Sequence, residues 1–275
     1  LTTTAATVFN GGFAANDGSI ITTADNTTQL SLISTDTDAN TGPVFVLWRN
    51  SANSADGDNT GKIAFQGEDD AGNKTTYSTI DTFISDNTNG TEDGQLALKT
   101  VVAGTERHRI NMKSAETVIN DDSVDLDFRV ESNLGTHAFF VDGAQGGAVG
   151  IGVTPEVWSS TADFLQVGAA ASFWGTTNNS VAIMQANAYF NASNAYKYIN
   201  TDQATQYIQV DGTHKWSSVV SGSADADITF VESLQIDASG NIIIANTGGT
   251  LYTTTAGTSN FRAGVNAGNS IASGT

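Results

Sequence analysis

The apolar residues of this chain come in short packets that alternate with polar ones, and the packets are separated by turn residues every eight to fifteen positions. Nowhere does a 3.6-residue stripe persist for three turns, so the pattern predicts strands and almost no helix. The clearest packet opens the stretch Asn120 to Pro155. There Val124, Leu126, Phe128 and Val130 are apolar, while Asp125, Asp127, Arg129 and Glu131 are polar. Period-two alternation means a strand with one buried and one wet face. It places Leu126, Phe128 and Val130 in a core and lets Arg129 neutralise Asp127 and Glu131. A turn-like SNLGT follows, then Ala138 to Val141, then the turn pairs Asp142-Gly143 and Gly146-Gly147. Val149 to Val153 reads as a strand whose alternate positions, Gly150 and Gly152, carry no side chain, which marks close approach of another backbone.

The same cadence runs along the rest of the chain. Val8-Phe9, Ile20-Ile21 and the alternating pair Leu30 and Leu32 read as brief strands. Val44 to Trp48 is a continuous apolar run, the mark of a strand buried on both faces. Ile63 and Phe65 alternate again, EDDAGN is a turn, and Thr75 to Ser85 is β-branched and aromatic. From Phe164 to Asp211 aromatic residues are denser, which suggests a more globular insertion. The stretch EVWSSTAD, Glu156 to Asp163, predicts no clear element, and residues 246–275 thin out into Gly, Thr, Asn and Ala. The predicted class is all-β. Because the packets are small and evenly spread, they suit an array that buries its faces against other chains better than one compact core.

Three stretches share a pattern. INMKSAETV (Ile110 to Val118), VDGAQGGAV (Val141 to Val149) and IDASGNIII (Ile236 to Ile244) each read as apolar, Asn or Asp, a small polar turn, then a second apolar strand. Glu106 and Glu232 each precede the isoleucine of the first and third by four residues. This reads as a degenerate repeat. It divides the chain into an N-terminal β-rich segment (1–93), a repeat module (94–156), an aromatic-rich module with a closing repeat (157–245) and the start of a further segment (246–275). The chain opens at Leu1 rather than methionine and stops mid-pattern, so a fragment of a longer polypeptide is expected.

Several of these pieces resemble tail-fibre proteins of tailed bacteriophages: GTERHRI (Gly104 to Ile110), DLDFRVES (Asp125 to Ser132), FFVDG (Phe139 to Gly143), VGIGVTP (Val149 to Pro155), AYKYINTDQA (Ala195 to Ala204) and SLQIDASGNI (Ser233 to Ile242). The resemblance covers roughly Gly94 to Ile244, and the order and number of the pieces carry it. It implies an elongated homotrimeric fibre of short strands and turns, a β-prism or β-helix-like shaft with small β-sandwich-like modules. It also implies a place on the virion after assembly in the host cytoplasm, and a role in host attachment. The partners implied are further copies of the chain, other tail or baseplate proteins, and a host surface glycan or protein receptor. The third copy departs from the pattern, because Ile242-Ile243-Ile244-Ala245 replaces the glycine-spaced strand. The alternatives are a tail-spike polysaccharide depolymerase and a bacterial surface adhesin.

Charge narrows the partners. A net charge of −18, with eleven Lys and Arg scattered singly, argues against a nucleic-acid role, since a phosphate backbone needs a basic surface. The same charge disfavours anionic lipid, and no run of eighteen apolar residues marks a membrane span. With no cysteine there is no disulfide and no thiol chemistry. The residues predict no catalytic centre, metal site or cofactor. Asp121, Asp122, Asp125 and Asp127 form the best metal candidate, but the spacing and glycine of a calcium loop are missing, and a solvated face with an ion pair to Arg129 is the expectation. Glu68-Asp69-Asp70 and Glu92-Asp93 sit in turn-like segments, where burial does not raise a carboxyl for glycoside hydrolysis. His108, His137 and His214 fit no ligand or triad spacing, and His108 is expected to share a face with Glu106 and Ile110. The one candidate binding surface is aromatic: Tyr189, Tyr196, Tyr198 and Trp216 as glycan contacts, against the simpler expectation that such rings fill a core.

Overall fold

The computed structural model describes residues 18–146, 148–176 and 180–245. The architecture is all-β, with no helix among the described residues and three open sheets. Val8-Phe9, Gly147 and residues 246–275 lie outside the described residues.

The first sheet is an antiparallel meander of β1 (Asn59–Glu68), β2 (Lys74–Asp86), β3 (Asp93–Val102), β4 (Thr105–Met112) and β5 (Thr117–Ile119), in chain order. Its first hairpin closes where the turn was expected. The Asp69 carboxylate accepts the backbone N–H of Ala71 at 2.9 Å and of Asn73 at 2.8 Å, which holds the loop in an Asx turn. The two faces of this sheet reverse the usual arrangement. Thr79, Asp81, Ala97 and Asn111 are its most buried residues. The opposite face carries an apolar row, one residue per strand: Ile63–Ile80–Leu98–Ile110–Ile119, with both ends exposed. Burying Asp81 is tolerated because Lys99 Nζ lies 2.8 Å from one oxygen and Lys62 Nζ 3.8 Å from the other.

The second sheet has ten strands: β6 (Phe128–Ser132), β7 (Gly135–Val141), β8 (Ala148–Ile151), β9 (Ala162–Val167), β10 (Ala171–Thr176), β11 (Val181–Ala186), β14 (Asp202–Val210), β15 (Thr213–Gly222), β16 (Val231–Ile236) and β17 (Ile242–Ile244). Strand order follows chain order throughout. Between β11 and β14 the chain leaves the sheet to form a two-stranded flap, β12 (Ala188–Phe190) and β13 (Tyr196–Tyr198). Neighbours are antiparallel except β8 and β9, which run parallel. The connection between those two requires Gly150, since a Cβ there would overlap the Val153 carbonyl oxygen. This is the close backbone approach that the glycine spacing predicts. The strand, however, ends at Ile151, and Gly152 turns with φ +72°.

The core lies between the flap and one face of this sheet. Trp158, Phe164, Trp174, Ile183 and Tyr189 form its main cluster, and Ala188, Tyr198, Ala204 and Ile228 a second. Trp158 stacks on Phe164 with centroids 4.4 Å apart and meets Trp174 edge-on at 5.8 Å. Gln166 is fully buried, and its Oε1 accepts the backbone N–H of Glu156 at 2.9 Å. The stretch EVWSSTAD is therefore an irregular connection that drives Trp158 into the core.

Several sequence expectations change. Val44 to Trp48 forms no strand, and Trp48 is 78% exposed, because an extended segment without a neighbouring strand has no partner for its backbone. Ile20-Ile21, Leu30 and Leu32 likewise form no strands. Leu126 precedes β6 rather than joining it, and Phe128 and Val130 are not core residues within one chain: Phe128 is 38% exposed. Their strand lies at the sheet edge, and no layer of described residues covers that face. The three repeat stretches all form hairpins, but with different registers, pairing Asn111 with Val118, Val141 with Val149, and Ile236 with Ile242. The expected boundary at 93/94 falls at the start of β3, inside the first sheet, and 156/157 falls between β8 and β9, inside the second.

Candidate functional site

The four aromatic residues expected to form one binding surface lie on two sides of the ten-stranded sheet. Tyr189 and Tyr198 are buried in the flap core. Tyr189 donates its hydroxyl to Asp225 Oδ1 at 3.0 Å, and burial first, then that bond, pushes its pKa up to about 12. Tyr198 donates to the Val220 carbonyl oxygen at 2.6 Å, and its ring lies against Gly222, where a Cβ would overlap Cε2. Tyr196 packs among Phe190, at 5.1 Å, and Phe230, at 5.4 Å. These three rings fill a core. Trp216 alone faces outward from the opposite side.

Trp216 belongs to a feature that the linear sequence hides. Following the pairing from strand to strand, one residue per strand, gives Phe128–Val141–Val149–Leu165–Phe173–Met184–Tyr207–Trp216–Leu234–Ile244. The row crosses all ten strands on the face away from the flap and contains no charged residue. At about 4.8 Å per strand it runs roughly 43 Å. The row beside it, Val167–Ala171–Ala186–Thr205–Ser218–Val231, is also uncharged. Two charged pairs lie on the other face, Arg129 with Glu131 at 2.7 Å and Lys215 with Glu232 at 3.0 Å, while Asp163, at the end of β9, is the charge beside these rows on the outer face.

At the centre of the row a groove of about 650 Å³ is lined by Phe173, Met184, Tyr207 and Trp216. Met184 is 56% and Trp216 36% exposed. Tyr207 lies 4.9 Å from Trp216, centroid to centroid, and His214 stacks on Trp216 at 6.4 Å. The Tyr207 hydroxyl and His214 Nδ1 share a hydrogen bond of 2.5 Å, which holds those two rings in near-parallel planes beside Trp216.

Three of the four clustered aspartates, Asp121, Asp122 and Asp127, are held by structural partners. Asp121 accepts from Asn111 Nδ2 at 2.7 Å and from Lys113 Nζ at 3.0 Å; these bonds, Asn111 first, hold its pKa below the usual carboxylate range. Asp122 accepts the His108 backbone N–H at 2.8 Å, and its second oxygen lies 3.1 Å from His108 Nδ1, which lowers its pKa too. Asp127 accepts the Gly143 N–H at 3.1 Å, so Arg129 is left to pair with Glu131. Asp69 and Glu92 are also held low, by hydrogen bonds in exposed turns. Among the described residues no group of three or more His, Asp or Glu converges as a metal site. His108 shares a face with Glu106 but not with Ile110: Ile110 pairs with Leu98 and His108 with Lys99, so a bulge at Arg109 turns the two apart. Glu156, which sequence reasoning passed over, has its pKa raised, by burial first and then by the charge of Asp225. No protein-family model and no curated protein matches this chain.

Proposed function

We propose that this chain is a structural segment of a bacteriophage tail fibre, non-enzymatic, working as a homotrimer that carries or forms the receptor-binding region. The observation that carries this reading is the ten-stranded open sheet whose strands follow one another in chain order. Such an array adds length strand by strand and converges on no single site, which is what a shaft needs and an enzyme does not. The resemblance of Gly94 to Ile244 to tail fibres points the same way. Under this reading the strands stack along a β-prism-like shaft, the partners are other tail proteins and a host surface receptor, and the place of action is the virion.

The test has two arms. Antibodies raised against the chain should mark the tail of the parent virion by immunogold electron microscopy. Labelling of a bacterial envelope in uninfected cells would instead establish the adhesin. Purified protein incubated with host surface glycan should release no reducing ends, and release of oligosaccharide would establish the depolymerase.

A further inference from the structure

We infer that the uncharged central band on the outer face of the ten-stranded sheet, centred on Phe173, Met184, Tyr207 and Trp216, is where copies of this chain pack against one another. The inference rests on the fibre reading and adds to it the surface on which the fibre is built. Three observations converge. The first is area: the large apolar residues of this face, among them Phe128, Phe173, Met184, Trp216, Val231 and Ile244 at 36–56% exposed, together leave open roughly 800 Å², at about 200 Å² for a full residue. That exceeds the few hundred Å² a soluble monomer commonly leaves open. It matches the roughly 800 Å² that each partner contributes to a standard stable interface.

The second is charge. A chain carrying −18 repels its own copies at most orientations. The central row has no charged side chain in its ten strands and the row beside it none in its six, with Asp163 at the margin, while the paired charges Arg129–Glu131 and Lys215–Glu232 lie on the opposite side. Like-charged copies therefore approach here at least electrostatic cost. A basic partner would instead seek the acidic surface elsewhere. The third is shape. The row runs along the direction in which strands stack, with one apolar residue at each step, so a threefold axis laid beside it gives every strand an equivalent contact with two other copies. Trp216 is then an interface residue, not a glycan platform.

The chain has no cysteine, so an introduced thiol is unique. Met184→Cys, labelled with a maleimide benzophenone and irradiated in the full chain, should give covalent species of two and three chains, with the attachment mapped to β10, β11, β14 or β15 of another copy. Met184→Glu should raise the concentration at which the assembly dissociates by roughly tenfold or more, since it buries an unpaired charge. Insertion of the label only into residues 18–48 of the same chain would overturn the inference by identifying an internal cover. A native trimer by sedimentation with no interchain product and no effect of Met184→Glu would also overturn it, while leaving the fibre reading intact. A native monomer at micromolar concentration would overturn both.

Discussion

At the scale of single residues, burial separates side chains that the sequence treats alike. Trp174 is 2% exposed, donates its indole N–H to Gln185 Oε1 at 2.8 Å and stacks on Phe190 at 5.2 Å. Trp174→Ala should cost about 3–5 kcal/mol in urea unfolding. Phe128→Ala, at a partly exposed edge position, should cost about 1–2 kcal/mol when copies are dilute, and Arg129→Ala under about 1 kcal/mol. Equal losses at Trp174 and Phe128 would contradict the assignment of faces. Glu156 gives a pH signature. Its pKa in the folded chain lies above the ordinary 4.5, so its contribution is full below that value and is lost as pH rises through the raised one. Asp121 and Asp122 act oppositely, contributing above 3.8 and losing that contribution as pH falls through their lowered values. Glu156→Gln should therefore melt above the native protein at pH 7, with the gap closing at pH 4. A gap of the same size at both values would rule out the buried carboxyl as its source.

At the scale of elements, alternation and turn chemistry made much of the strand pattern legible, and register remained hidden. Ile63 and Phe65 do lie in β1, Thr75 to Ser85 in β2, and the Asp69 to Asn73 turn closes the hairpin between them. Equal spacing in the three repeat stretches did not mean equal pairing, because loop length sets register. In the third, Asp237 accepts the N–H groups of Ser239 and Asn241 and fixes a five-residue loop. In the first, the Lys113 N–H meets the Glu116 carbonyl oxygen in a tighter one. A bulge such as that at Arg109 leaves no mark in composition. The flap was legible only as aromatic density, since its packing depends on a glycine 24 positions beyond Tyr198. Gly222→Ala should cost about 1–3 kcal/mol by overpacking against that ring. Combined with Tyr198→Leu the loss should be less than additive, and full additivity in the double-mutant cycle would show that the two positions do not meet.

At the scale of the whole molecule, the all-β class follows from the sequence, while the outer face does not. Its ten residues are spread from Phe128 to Ile244 and become one row only through strand pairing. The candidate rings Tyr189, Tyr196, Tyr198 and Trp216 are divided between the two sides of the sheet for the same reason: nearness in sequence does not tell which side a ring occupies. If copies meet at an uncharged face, adding salt should strengthen assembly by screening their mutual repulsion. Raising sodium chloride from 20 mM to 500 mM, on either side of the 0.1 M at which the screening length is roughly 10 Å, should lower the dissociation concentration in sedimentation. A rise would show that opposite charges hold the assembly together. The chain-ordered sheet has a further consequence, in time rather than space. Every strand of this sheet after β6 pairs with a neighbour already synthesised, and across the flap β14 emerges about 15 residues after the β11 it pairs with. At about 5–20 residues per second, each strand finds its final neighbour within seconds of leaving the ribosome. The growing end is then always the newest edge of a sheet whose older part is complete, and a polypeptide halted anywhere along β6 to β17 is a shorter version of the same sheet.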